Sequence, residues 1–300
     1  MSEPTVRIEA DDRPRDDAIP RETDPAVITT APGDGPERIR AAFDRARSED
    51  RAALVVYLPA GYPDLDTSEA CLVAAAEAGA DLLEVGFPFS DPMMDGPIIQ
   101  AASQQALDQG ITIVDDLAMC TRLTAEVDVP ALVMTYVTIA DTRGFDVFAE
   151  ACVGAGLAGA ILPDLPAAEA QPWIDAAHPR GLATVFLASS VSADARLDGI
   201  AERSTGFVYA AGLLGVTGVK QVAQGDTRHL VERLRARTDT PIAVGIGVRT
   251  RDDAAAVAAY ADGVIVGSEV VRAVGAGDPA TAPERVAKLV AELRSGVERA

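Results

Sequence analysis

An eightfold alternation restricts this chain more than any other feature of it. From residue 52 onward, short apolar runs alternate with longer, alanine-rich stretches of helical spacing. The runs lack the strict apolar-polar alternation of a sheet with one solvated face, so they read as parallel strands covered on both sides. Eight are present, at 53–57, 82–85, 131–136, 159–162, 183–187, 207–209, 242–244 and 264–266. Helical stretches such as 68–77, 98–107, 252–260 and 283–297 fill the gaps. Eight strand-helix units in about 265 residues is the size of a (β/α)8 (TIM) barrel. An open doubly wound sheet is the alternative. It loses because no strand runs into the G-x-G-x-x-G turn of a dinucleotide fold.

The first 34 residues differ from the rest. They hold no aromatic residue, nine acids against four arginines, and several prolines, so they read as a disordered acidic tail outside a single barrel domain at 35–300. At Asp34-Gly35-Pro36-Glu37 the pattern changes. Proline suits a first helical turn, and Ile39, Phe43 and Ala46 follow at helical spacing, which predicts an amphipathic lid helix.

Composition narrows the partners. The chain has 46 acidic against 26 basic residues, a formal charge of -20, and only two lysines, Lys220 and Lys288. Nucleic acid and anionic membrane surfaces are thereby disfavoured, and so acidic a surface suits a protein adapted to high salt. Cys71, Cys120 and Cys152 are odd in number and widely spaced, which predicts buried thiols rather than a disulfide framework or a zinc site. His178 and His229 have no ligand partner at helical spacing, so no metal is expected. No apolar run reaches membrane-span length and the acidic N-terminus is unlike a signal peptide, so the expected location is the cytoplasm.

In a barrel of this kind chemistry belongs at the C-terminal ends of the strands. The second run ends Leu82-Leu83-Glu84-Val85-Gly86, and a carboxylate inside an apolar strand must find a partner or hold a proton. An ion pair with a barrel arginine is the structural reading of Glu84. The functional reading draws on the loop that follows, Phe87 to Pro97, where three prolines stiffen a path that can return Asp95 over the barrel mouth to face Glu84. Two acids in one water-poor pocket can differ in protonation, one donating a proton while the other stays ionised. Asp91, ahead of Pro92, reads as a turn residue serving local backbone donors.

Glycines form a second constellation: Gly215-Val216-Thr217-Gly218 after the sixth strand, Gly245-Ile246-Gly247 after the seventh, Gly267-Ser268 after the eighth. Bare backbone N–H groups and helix N-termini there would hold a phosphate without a lysine. Ser268 has a helix-capping role as its alternative. Lys220 could form a Schiff base in principle, but it lies beyond the turn rather than in an apolar strand.

The run from Leu83 to Gln100 closely resembles the signature of the tryptophan synthase alpha chain family, as do Pro59-Ala60-Gly61-Tyr62-Pro63, Pro163-Asp164-Leu165-Pro166 and the glycine turns, across about residues 40–295. The resemblance implies cleavage of indole-3-glycerol phosphate to indole and glyceraldehyde 3-phosphate. It implies no cofactor in this chain, pyridoxal phosphate in a partner beta chain, and an alpha2-beta2 assembly. It gives Glu84 the acid-base role and Asp95 the place facing the indole nitrogen. Tyr57, Tyr136 and Tyr209 would line the indole pocket, Thr217 would reach Asp95 from a closing loop, and Gly218, Gly247, Gly267 and Ser268 would hold the phosphate. The pattern is broken at Thr138 and at Gly212, Leu213 and Leu214, positions tied to loop closure and beta-chain contact. Another phosphate-binding barrel acting on a sugar phosphate, or a subunit that chiefly activates a beta chain, are the rival functions.

Overall fold

The computed structural model describes residues 33–212, 223–245 and 247–299. Eight parallel strands close into a barrel in sequence order: β1 (Ala53–Pro59), β2 (Leu82–Gly86), β3 (Ala131–Met134), β4 (Gly159–Ile161), β5 (Ala183–Ala188), β6 (Val208–Ala211), β7 (Ile242–Gly245) and β8 (Gly263–Val266). The ring closes where β1 pairs with β8, Ala53 opposite Gly263 and Val56 opposite Val266. Every expected strand is present within one or two residues; β3 stops two short, at Met134. Tyr136 leaves the ladder to become the N-cap of the helix Val137–Thr142, a turn that redirects its ring.

Successive side chains on a strand point to opposite faces, and two separate hydrophobic clusters result. Leu54, Val56, Leu83, Val85, Val133, Val244 and Val264 face the surrounding helices. Val55, Leu82, Leu132, Val185, Phe207, Ala243 and Ile265 fill the barrel interior. Continuing the alternation toward the strands' C-terminal ends places Tyr57, Glu84, Met134, Leu187 and Tyr209 in the uppermost interior layer. The barrel is thus packed to its mouth, and one member of that last layer is an acid.

The helix expected near residue 36 is α1 (Gly35–Ser48), with Pro36 in its first turn and Arg45 and Arg47 in its last. Its buried stripe, Ile39, Ala42, Phe43 and Ala46, joins the interior cluster. The end it covers is the floor: Phe43 packs against Gly263, the first residue of β8, and Ile39 against Gly206, just before β6. The lid therefore closes the N-terminal rim, opposite Glu84. Gly33, counted with the tail from the sequence, donates its N–H to the Arg180 carbonyl at 2.8 Å, and Gly35 donates to Gly181 at 3.0 Å. A Cβ at Gly181, where φ is 68°, would lie 1.6 Å from the Gly33 carbonyl oxygen, so glycine is required at this crossing. The remainder of the expected tail lies outside the described residues.

All three cysteines are buried and unpaired. Among the described residues no helix is long and apolar enough to cross a membrane, and no group of histidines, cysteines and acids could hold a metal. His178 shares a hydrogen bond with the Thr184 hydroxyl at 3.0 Å, and His229 lies exposed beside Glu232.

Candidate active site at the barrel mouth

Glu84 is completely buried, and neither carboxyl oxygen has a hydrogen-bond partner among the described residues. An ionised carboxylate in that setting is strongly disfavoured. Burial accordingly pushes the Glu84 carboxyl up to about 8, so that it carries a proton near neutral pH. The ion pair considered from the sequence is not formed with any described residue.

Asp95 is held differently. The loop from Phe87 to Gly96 folds back over the mouth, and its turns are fastened by Gln100, whose side-chain amide donates to the carbonyls of Pro92 (3.2 Å) and Asp95 (2.9 Å). The Tyr136 hydroxyl donates to Asp95 Oδ2 at 2.9 Å and accepts the Met94 N–H at 2.9 Å. Phe89 stacks on the Tyr136 ring with centroids 4.9 Å apart. Burial raises the Asp95 carboxyl and the tyrosine bond opposes that rise, so the anion has a donor here that Glu84 lacks. Asp91 is exposed and accepts the Ser90 hydroxyl at 2.6 Å rather than the backbone donors expected of it.

Tyr57 and Tyr209 complete the pocket. Burial, and then the charges of Asp95 and Glu84, raise both phenols well above 10, with Asp95 weighing more on Tyr57 and Glu84 more on Tyr209. Glycines make room for them. A Cβ on Gly86 would sit 2.3 Å from the Tyr57 hydroxyl, and one on Gly245 would sit 2.5 Å from the Tyr209 hydroxyl. At Gly267 a Cβ would meet the Tyr57 ring at 3.1 Å, a reason for glycine there independent of any phosphate.

The described part of the expected phosphate site lies at the ends of the neighbouring strands β7 and β8. Gly247 is exposed with φ at 73°, a conformation suited to glycine. Gly267 is the N-cap of the helix Ser268–Gly275, so Ser268 is its first residue and not the cap. Thr217 and Gly218 lie outside the described residues, as do Leu213, Leu214, Gly215, Val216 and Lys220. Gly212 donates its N–H to the Gly245 carbonyl at 3.1 Å, and Thr138 is exposed on the helix after Tyr136.

The sequence model of the tryptophan synthase alpha chain family matches residues 43–298. The chain belongs to that family. The alpha chain of Streptomyces coelicolor is 47% identical over 253 residues, covering 84% of this chain and 93% of the relative. That of Thermobifida fusca is 45% identical over 266 residues, covering 87% and 98%. A solved structure of Mycobacterium tuberculosis tryptophan synthase superposes with a TM-score of 0.82 at 42% identity, covering 88% of this chain and 99% of that one. In this member of the tryptophan synthase alpha chain family, Glu84, Asp95, Tyr57, Tyr136 and Tyr209 come together at one end of the barrel. Sequence reasoning missed Gln100 and Phe89, which shape the loop and orient Tyr136. It also missed Asp164, whose carboxylate accepts the Val137 N–H at 2.9 Å and holds the turn after Tyr136. Phe89 and Asp164 act through contacts distant in sequence, and Gln100 through bonds within its own loop.

Proposed function

We propose that Glu84 and Asp95 carry out the retro-aldol cleavage of indole-3-glycerol phosphate, releasing indole and D-glyceraldehyde 3-phosphate. The observation that carries this reading is the asymmetry of the two acids: a fully buried, unpartnered carboxyl at Glu84 and a tyrosine-bonded one at Asp95. Carbon-carbon cleavage needs a proton at indole carbon 3, relief of the positive charge that then develops on the ring, and removal of a proton from the glycerol hydroxyl. Glu84, protonated at rest, delivers the first proton. Asp95, ionised and aimed by Tyr136, stabilises the charged ring through its N–H. Glu84, now a carboxylate, takes the glycerol hydroxyl proton as the bond breaks and the aldehyde forms, and the acid is restored.

Tyr57, Tyr136 and Tyr209 line the indole pocket in this scheme. Backbone N–H groups at Gly218, Gly247 and Gly267 and the Ser268 hydroxyl hold the phosphate, and Thr217 reaches Asp95 when its loop closes. The chain supplies this chemistry without a cofactor. It works beside a pyridoxal-phosphate beta chain, in an alpha2-beta2 assembly, as a cytoplasmic biosynthetic enzyme. Met93 is 85% exposed and Val191 78% exposed on loops at the mouth, apolar surface consistent with a covering partner. The acidic segment before Gly33 is assigned no part in the barrel domain.

The test is indole release from indole-3-glycerol phosphate, with and without a beta chain. Glu84→Gln should slow release at least ~100-fold while substrate binding stays nearly intact. Asp95→Asn should also be severely impaired. Normal turnover by the Glu84→Gln variant defeats the assignment, and a borohydride adduct at Lys220 formed with substrate would replace it with a Schiff-base route. Inactivity without a beta chain would favour an activating subunit.

A further inference from the structure

The scheme leaves one group unserved. After Glu84 has given up its proton it is a buried anion, and no described residue donates a hydrogen bond to it. A buried carboxylate without donors is costly enough to slow the step that creates it. Tyr136 cannot help, because its hydroxyl proton is committed to Asp95 and its lone pair to the Met94 N–H. Two phenols remain. Tyr209 directs its hydroxyl over Gly245 at the end of β7, while Tyr57 stands in register beside Glu84 and directs its hydroxyl over Gly86, two residues further along the strand that carries Glu84. No hydrogen bond to a described residue engages the Tyr57 hydroxyl.

We infer that Tyr57 is a positioning residue whose hydroxyl, engaged by no described residue while Glu84 is protonated, donates to the Glu84 carboxylate once Glu84 is ionised. The inference rests on the acid-base reading proposed above. The charged and titratable groups facing Tyr57 are Asp95, Glu84, Tyr136 and Tyr209, the two acids among them lying within its electrostatic reach. Its phenol is held well above its ordinary range by burial first and then by these neighbours. It therefore keeps its proton throughout. The O–H turns and the Glu84 carboxyl swings to meet it, with no covalent bond made or broken at Tyr57. The ring itself is fixed between Gly86 and Gly267, and no described residue tethers the Glu84 carboxyl to its present rotamer.

Tyr57→Phe removes the hydroxyl and keeps the ring in its glycine cradle. Indole release by this variant should fall about tenfold in kcat with KM within about twofold. A donor lost from a carboxylate raises that carboxylate's pKa, so the basic limb of the pH-rate profile should move up by about half a unit or more while the acid limb stays in place. The acid limb reports Asp95, which must be ionised, and the basic limb reports Glu84, which must be protonated. Tyr136→Phe is the comparison: it should move the acid limb alone, because Tyr136 serves only Asp95. A Tyr57→Phe protein with wild-type kcat and an unmoved profile overturns the inference, as does one whose basic limb stays in place. Near-UV circular dichroism reports folding in each variant. A parallel Glu84→Gln measurement separates the two readings: if that variant is active the acid-base assignment fails, and if it is dead while Tyr57→Phe is normal only the role of Tyr57 fails.

Discussion

Asp81, just before β2, and Glu84, within it, stand three residues apart, and both are out of water, at 2% and 0% exposure. Asp81, at the floor, is fully served. Its two oxygens receive the Arg51 guanidinium at 2.5 and 2.8 Å and the Leu54 N–H at 2.9 Å, and Arg45 approaches to 3.7 Å. Glu84, at the mouth, receives nothing from the described residues. Burial alone therefore does not separate these two acids; their partner sets do. A buried carboxylate with its donors supplied has its charge compensated, and one without them does not. The division follows the barrel's general division of labour, stability at the N-terminal rim and chemistry at the C-terminal one.

The largest expected effect is at the floor. Asp81→Asn removes the buried anion of the Arg51 guanidinium and leaves it only the half-exposed Glu49, a loss of about 3 kcal/mol for a broken buried pair. Urea unfolding should register it as a lower midpoint with an unchanged slope. The protein that remains folded should release indole at the normal rate. Unchanged stability together with lost turnover would reverse the roles assigned to the two ends.

How much of this contrast was legible in the sequence depends on the range of the interactions. The eight strands could be read because both their faces are buried, which leaves unbroken apolar runs, and Glu84 was conspicuous as the acid inside one of them. Asp81 was not. It lies at the edge of a strand, where acids are ordinary, and its partner Arg51 is 30 residues away. The end of β3 was misjudged because Thr135 and Tyr136 extend its strand-like composition, whereas Tyr136 serves as a helix cap that aims its hydroxyl at Asp95. Gly267 was read as a phosphate cradle from its place after β8. The Tyr57 ring gives a second reason for a missing side chain there, and spacing alone cannot tell the two apart.

The next effect sharpens the contrast from the other side. Glu84 is raised from an ordinary 4.5 to about 8, so between those values the folded protein holds a proton that the unfolded chain has released. Stability from this group is complete below about pH 4.5 and declines as pH rises through that window. The decline is about 1.4 kcal/mol per pH unit in its steep part. Glu84→Gln cannot titrate, so the stability difference between wild type and variant should drift by that amount per unit between about pH 5 and 7.5, the variant gaining. Parallel curves would mean that Glu84 is ionised in the folded protein, and its role as the resting acid would go with it.

The smallest effect asks whether charge alone or geometry holds the floor. Arg51→Lys keeps the cation in a position only 4% exposed but replaces a planar fork with a point charge. An ammonium can reach one Asp81 oxygen and cannot reproduce the paired bonds to Oδ1 and Oδ2 or the bond from Arg51 Nε to Glu49 at 2.7 Å. The loss should be about 1–2 kcal/mol, well below that of Asp81→Asn, because the buried carboxylate keeps a counter-charge. Turnover and its pH profile should not move, since Glu84 and Asp95 lie at the far end of the barrel. If Arg51→Lys costs as much as Asp81→Asn, the bidentate geometry carries nearly all of the stabilisation. If it costs nothing, any buried cation suffices, and the difference between the two acids reduces to the presence or absence of a neighbouring positive charge.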